Sequence, residues 1–296
     1  MEHNVNFDSD GLSLSGILQV PDSLAPGERR PAVILLHGFG SHKGDGMVML
    51  AARLLASQGY VTLRFDMRGC GDSEGEPARV ICLEQVADTR HAVDFLLRRD
   101  DVAPDGIAVL GHSFGAAVAV YATGVDERIA ACISSGGWGD GERKFRLQHA
   151  SDAAWARFQD LLRTGRERRV RGQDLRVSRF DIVPIPEPLR ASLPAGSFME
   201  FPFEVVESMY DFRPNDVIAA IAPRPLLLLH PAVDSVTPTV QSIEMFGHAR
   251  MPADLHLISS IDHFIFSDDS TLALNVVRDW LAKFLPVRQT PEAAAS

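Results

Sequence analysis

The residues best suited to chemistry lie at 111–115, where Gly111-His112-Ser113-Phe114-Gly115 reads G-x-S-x-G. A short apolar run, 107–110, precedes them, and a helix-like stretch, 114–122, follows. A serine on such a sharp strand-to-helix turn adopts a strained backbone, and the crowded turn demands glycine on both flanks. The hydroxyl then stands exposed near the positive end of a helix dipole. The pentapeptide alone suits any glycine-rich turn; the flanking strand and helix make Ser113 a nucleophile candidate. A serine hydroxyl reacts poorly near neutral pH, so it needs a base, and the base needs an orienting acid.

With this turn the expected chain order is serine, acid, histidine. The apolar run 225–229 leads to His230-Pro231-Ala232-Val233-Asp234, and the run 254–258 leads to Ile261-Asp262-His263-Phe264. Asp234 and His263 therefore stand past strand ends in the required order. Rival acids are Asp262 and Asp254, and His256 is a rival base. Asp254 and His256 read as members of the strand itself, and Asp262 adjoins His263 too closely to reach its ring easily. Acyl transfer also builds negative charge on a carbonyl oxygen, which two backbone N–H groups should meet. Phe114, after the nucleophile, supplies one; Phe39, in the loop His37-Gly38-Phe39-Gly40 after an early strand, supplies the other. His37 and His112 read as local supports for the loop and the turn.

These groups need a scaffold that brings distant segments to one rim. Continuous apolar runs at 32–36, 107–110, 129–133 and 225–229 suit strands buried on both faces, and the strand-like stretches 60–65 and 254–258 repeat the pattern with polar residues interspersed. Helix-like stretches lie between or after them at 47–58, 83–98, 114–122, 239–248 and 272–284. The alternation predicts an α/β fold: a mostly parallel central sheet with helices on both faces. Residues 5–20 read as a leading hairpin with Asp10-Gly11 at its turn. The alternation breaks at 138–213, which predicts a mainly helical cap inserted between core segments 1–137 and 214–296. Within it stand an amphipathic piece (Trp155, Phe158, Leu161, Leu162), an arginine cluster (Arg163, Arg166, Arg168, Arg169, Arg171) and a Phe/Met-rich stretch. Trp138, Phe198, Met199, Phe201 and Phe203 are candidates to wall an apolar substrate pocket. The arginines read either as an anion site or as a solvated helix face, with Asp160 and Glu167 diluting them. The tail, 289–296, is expected to fray.

The composition of the 296 residues is globular, 46% hydrophobic and 23% charged. A net charge of −10 argues against a general nucleic-acid binder. Three cysteines, none in C-x-x-C spacing, argue against a disulfide framework and a thiolate zinc site. No signal peptide is legible, and no apolar stretch approaches the ~18–20 residues of a membrane span. A cytoplasmic protein without membrane association is the expectation.

HGFG (37–40), FDMRGCGDSEG (65–75), LGHSFGAA (110–117), APRPLLLLH (222–230) with Asp234, and DHF (262–264) together resemble the α/β-hydrolase superfamily. Their style is similar to its dienelactone-hydrolase-like, cinnamoyl-esterase-like and dipeptidyl-peptidase-like serine hydrolases. Pro231 departs from the His-Gly that relatives commonly carry before the acid, and Ser113 departs from the cysteine of the dienelactone hydrolases themselves. The resemblance implies that Asp66 and Arg68 hold the loop after the fourth strand. It also implies a serine hydrolase acting on a small-molecule acyl substrate: a carboxylic ester, or an amide or thioester. No metal or organic cofactor is required. Acyl transfer by the same triad, including transfer of polyketide chains, is the alternative, with carbon–carbon bond hydrolysis or ligand binding without catalysis behind it. A homodimer through the insertion stays open.

Overall fold

The computed structural model describes residues 1–266 and 271–287; the tail at 289–296 lies outside the described residues. The chain opens with the hairpin β1 (Glu2–Ser9) and β2 (Leu12–Gln19). Asp10 and Gly11 turn it with φ of 53° and 84°, the two positive values that a tight two-residue hairpin turn needs. Then follow β3 (Arg30–Leu36), α1 (Gly46–Ser57), β4 (Val61–Phe65), α2 (Cys82–Leu97), β5 (Val102–His112), α3 (Phe114–Val125) and β6 (Ile129–Ser135).

Next the chain leaves the sheet through α4 (Gly141–Gln148), α5 (Asp152–Val170), β7 (Arg176–Ser178), α6 (Arg179–Ile182), α7 (Glu187–Arg190), β8 (Glu200–Pro202) and α8 (Phe203–Asp211). It returns through β9 (Leu226–Pro231), α9 (Val240–His248), β10 (Ala253–Ile258) and α10 (Leu272–Phe284). The excursion is not purely helical: β7 and β8 pair antiparallel as a second small sheet.

The main sheet runs β1-β2-β4-β3-β5-β6-β9-β10. All neighbours from β4 to β10 pair in parallel, and β2 joins β4 antiparallel. Alternation along β3 shows why continuous apolar runs were needed. Ile34 and Leu36 face the core beneath α2 and α3, while Val33 and Leu35 face the core beneath α1 and α10. Each fully buried side chain of this kind contributes roughly 1.5–3 kcal/mol. From β3 the chain steps outward to β4 and then back across to β5 on the other side of β3. Such a reversal opens a crevice at the carboxyl ends of the strands. The loop after β3 and the turn after β5 meet there.

Candidate active site

Ser113 sits between β5 and α3 with φ 56° and ψ −115°, a conformation that side chains rarely adopt. Its N–H donates to the Ser135 carbonyl at 2.8 Å, tying the turn to β6. The flanking glycines are required by contact with backbone. A Cβ at Gly111 would lie 2.0 Å from the Gly115 carbonyl oxygen, and one at Gly115 would lie 2.6 Å from the carbonyls of Leu36 and His37.

The structure brings Ser113, His263 and Asp234 together. The Ser113 hydroxyl donates to Nε2 of His263 at 2.8 Å, and Nδ1–H of His263 donates to Oδ2 of Asp234 at 2.8 Å. Pro231 closes β9 without displacing the acid loop. Oδ1 of Asp234 accepts from the backbone N–H groups of Val236 and Thr237 at 2.8 and 2.7 Å. Burial alone would raise the Asp234 carboxyl. The facing His263, with hydrogen bonds from His230 and His263, instead holds it well below the ordinary carboxylate range.

His230 was given no role from the sequence. Its Nε2–H donates to the Thr237 carbonyl at 3.0 Å and lies 3.2 Å from Oδ2 of Asp234, while Nδ1 accepts from the Ser242 hydroxyl at 2.6 Å. A histidine directly after an apolar strand was the available signal.

The rival residues have other partners. Oδ1 and Oδ2 of Asp262 accept from the N–H and hydroxyl of Ser235, clamping the histidine loop to the acid loop. Asp254 accepts from the Trp280 indole at 2.8 Å. His256 is exposed on β10. His112 is buried with its ring 5.1 Å from that of His263, and neither of its nitrogens has a partner among the described residues. Burial first, then the neighbouring His263, pushes it down to about 3, so it supports the turn as a neutral ring. His37 accepts from the Met67 N–H at 3.2 Å and donates to the Gly38 carbonyl at 2.9 Å, bracing the loop after β3. Asp66 accepts from the backbone and side chain of Lys43 and from the Asp72 N–H, and Arg68 bonds Asp88 at 2.8 Å.

Phe114 opens α3, where the first backbone N–H groups have no intrahelical acceptor. The loop of Phe39 is held from the far side by Arg179. This guanidinium is 3% exposed; it donates to the carbonyls of Phe39 (2.6 Å) and Gly40 (3.4 Å) through Nη2, and to that of Phe198 (2.7 Å) through Nε. Burial pushes it down to about 10. Arg179 was not visible as a site residue because nothing in its sequence neighbourhood separates it from surface arginines.

Ser113 and His263 open into a cavity walled by Trp138, Lys144, Arg179, Val183, Met209 and Phe264, among others. Trp138 stands on its wall. Phe198, Met199, Phe201 and Phe203 do not. Phe201 is fully buried and stacks on Phe39 at 4.1 Å, Phe203 packs against Gly165 of α5, Phe198 flanks the core, and Met199 is exposed. Aromatic residues on the short β8 and its flanks are spent on seating that segment on the core. The arginine cluster is largely paired by its own neighbourhood. Arg163 bonds Asp160 and Glu167, and Arg166 and Arg169 both bond Glu207.

A sheet of this order, with a serine at a strained turn after β5 and its partners past β9 and β10, defines a class. The model of the alpha/beta hydrolase fold matches residues 31–270, and the chain is an enzyme of the α/β-hydrolase family. Among its relatives is the polyketide transferase grgF of a Penicillium species, 28% identical over 294 residues, covering 93% of this chain and 94% of that protein. The quorum-quenching protein AidA of Acinetobacter baumannii is 31% identical over 139 residues, 47% of this chain and 44% of its own length. The crystal structure of the Penicillium alpha/beta hydrolase GrgF superposes with a TM-score of 0.78 at 23% identity over 96% of this chain and 99% of that one. Est1E of Butyrivibrio proteoclasticus, solved with ferulic acid bound, superposes with a TM-score of 0.70 at 18% identity, over 95% and 98% of the two chains.

Proposed function

We propose that this enzyme hydrolyses a carboxylic ester through an acyl-serine intermediate, with Ser113 as nucleophile, His263 as general base and Asp234 as its orienting acid. The observation that carries the reading is the unbroken relay from the Ser113 hydroxyl through His263 to Asp234, with both links at 2.8 Å. Nε2 of His263 takes the serine proton as Oγ adds to the carbonyl carbon. Asp234 remains ionised and holds the proton on Nδ1. The amides of Phe39 and Phe114 receive the oxyanion, aided by the positive end of α3. His263 then protonates the leaving alcohol. Water repeats the sequence in reverse and frees the acid. The same route serves amides and thioesters. Residues 138–213 act as a cap inserted into a core of 1–137 and 214–296, and bound the acyl site through Trp138 among others.

A second reading is acyl transfer, with an alcohol or amine in place of water. It is favoured by the near full-length likeness to a polyketide transferase. Product analysis with and without a competing alcohol separates the two.

The decisive variant is Ser113→Ala. A chromogenic short-chain ester should lose turnover by several orders of magnitude, about 10⁶ in a comparable triad. A serine-directed phosphonate should label residue 113. A folded Ser113→Ala protein with full turnover would end the reading.

A further inference from the structure

Along α4, Arg143 pairs with Glu244 at the surface, but the next residue, Lys144, turns inward and is only 1% exposed. Its Nζ stands 4.2 Å from the ring centre of Phe145 and 4.5 Å from that of Trp138, and it has no hydrogen-bond partner among the described residues. The indole Nε1 of Trp138 is likewise buried and without a partner among them. Both side chains line the cavity that holds Ser113 and His263. Buried donors in folded proteins are almost always paired, and an orphaned charged donor costs more than a neutral one. The aromatic rings offset part of that cost but accept no directed hydrogen bond. What the two donors lack is an acceptor, and the natural partner of an ammonium, which has three donors and no lone pair, is an anion.

We propose that Lys144 and the Trp138 indole receive a second carboxyl group of the substrate, so that the substrate class is half-esters of dicarboxylic acids. Calling the ligand a substrate rests on the acyl-serine reading of the same cavity; recognition of the carboxylate does not require turnover. Arg179 adds a second cation to the wall, and its hydrogen bonds go to the carbonyl oxygens of Phe39, Gly40 and Phe198. Asp45, a carboxylate lining the same cavity, is engaged by the Ser41 hydroxyl and by the Met47 N–H at the start of α1. Burial pushes the Lys144 amine down to about 7, slightly opposed by Cys82 at the head of α2. The other titratable groups near it are His149 at the end of α4 and, across the cavity, Arg179, Asp45 and His263. Burial thus disfavours the charged amine, and a carboxylate beside Nζ favours it, so binding of the carboxylate should draw a proton onto Nζ.

The test is calorimetric binding to full-length Ser113→Ala protein at about pH 8.5, in two buffers of different ionisation enthalpy. The ligands are the monomethyl esters of succinic to suberic acid and the matching dimethyl esters. At least one monoacid should bind about tenfold more tightly than its diester and take up about one proton that the diester does not. Adding Lys144→Met should abolish that proton uptake and reduce the preference about tenfold. Adding Trp138→Phe, which keeps the ring and removes the N–H, should weaken the preference and leave the proton uptake in place. The proposal is overturned if no monoacid is preferred over its diester, or if preference and uptake survive Lys144→Met. Should that variant not fold, the absence of any monoacid preference over the matching diester in the Ser113→Ala parent overturns it alone. Binding to a protein without the serine hydroxyl is read apart from phosphonate labelling of residue 113, so failure of one idea is distinguishable from failure of the other.

Discussion

Ser113 carries its strain in the backbone. A non-glycine residue at φ 56° costs of order 1–3 kcal/mol, held in place by the packing of β5, β6 and α3. Alanine at this position keeps the strain and removes only the hydroxyl. Glycine removes both, at a cost of roughly 0.5–1 kcal/mol from its freer unfolded chain. Relief of strain outweighs that entropic cost, so Ser113→Gly should melt about 2–4 °C above Ser113→Ala, with both proteins inactive. Equal melting temperatures in a thermal scan would mean that the turn is relaxed and that positive φ at this site carries no energetic penalty. Gly111 and Gly115 offer no such latitude, because their would-be neighbours are backbone carbonyls that cannot move without β3 or α3.

At the scale of elements, the carboxyl end of β3 is held from outside the core sheet. Arg179, the first residue of α6, reaches across to the Phe39 and Gly40 carbonyls and so fixes the loop whose Phe39 amide is proposed to receive the oxyanion. It is a positioning residue. Arg179→Met should therefore lower kcat toward the ~10²–10³-fold loss typical of a missing oxyanion donor, while KM for a neutral ester changes little. Arg179→Lys, able to reach one carbonyl, should recover part of kcat. Parallel losses in kcat and melting temperature with no recovery by lysine would make the role purely structural. How much of this was legible follows from the physics of each segment. Strands buried on both faces announce themselves as apolar runs, so the core strands, and with them the strand ends at which Ser113, Asp234 and His263 meet, were readable from residues such as Ile34, Leu110 and Leu228. β5 begins earlier than its apolar run, because Pro104-Asp105-Gly106 reads as a turn yet enters the ladder with a register shift beside β3. β7 and β8, three residues each, are too short for any alternation to appear. Lys144 stands among Glu142, Arg143 and Arg146 and reads as part of a solvated run; only the packing of α4 against α8 and Trp138 turns it inward.

For the whole molecule, the long-range field opposes the ligand that the cavity wall invites. The sequence carries a net charge of −10, and the arginines of α5 are largely cancelled by Asp160, Glu167 and Glu207, so they form no open positive funnel. A monoanionic substrate is repelled at distance and attracted only on contact with Lys144 and Trp138 inside the cavity. Salt screens exposed charges beyond about 10 Å at 0.1 M but acts weakly on buried contacts. Screening should therefore relieve the repulsion and leave the attraction largely intact. With the p-nitrophenyl half-ester of a dicarboxylic acid, kcat/KM should rise about two- to threefold between ~10 and ~300 mM sodium chloride, while the matching neutral ester stays flat. A fall with salt for the half-ester alone would place the attracting cation at the surface, and the arginine face of α5 would then be the region to mutate.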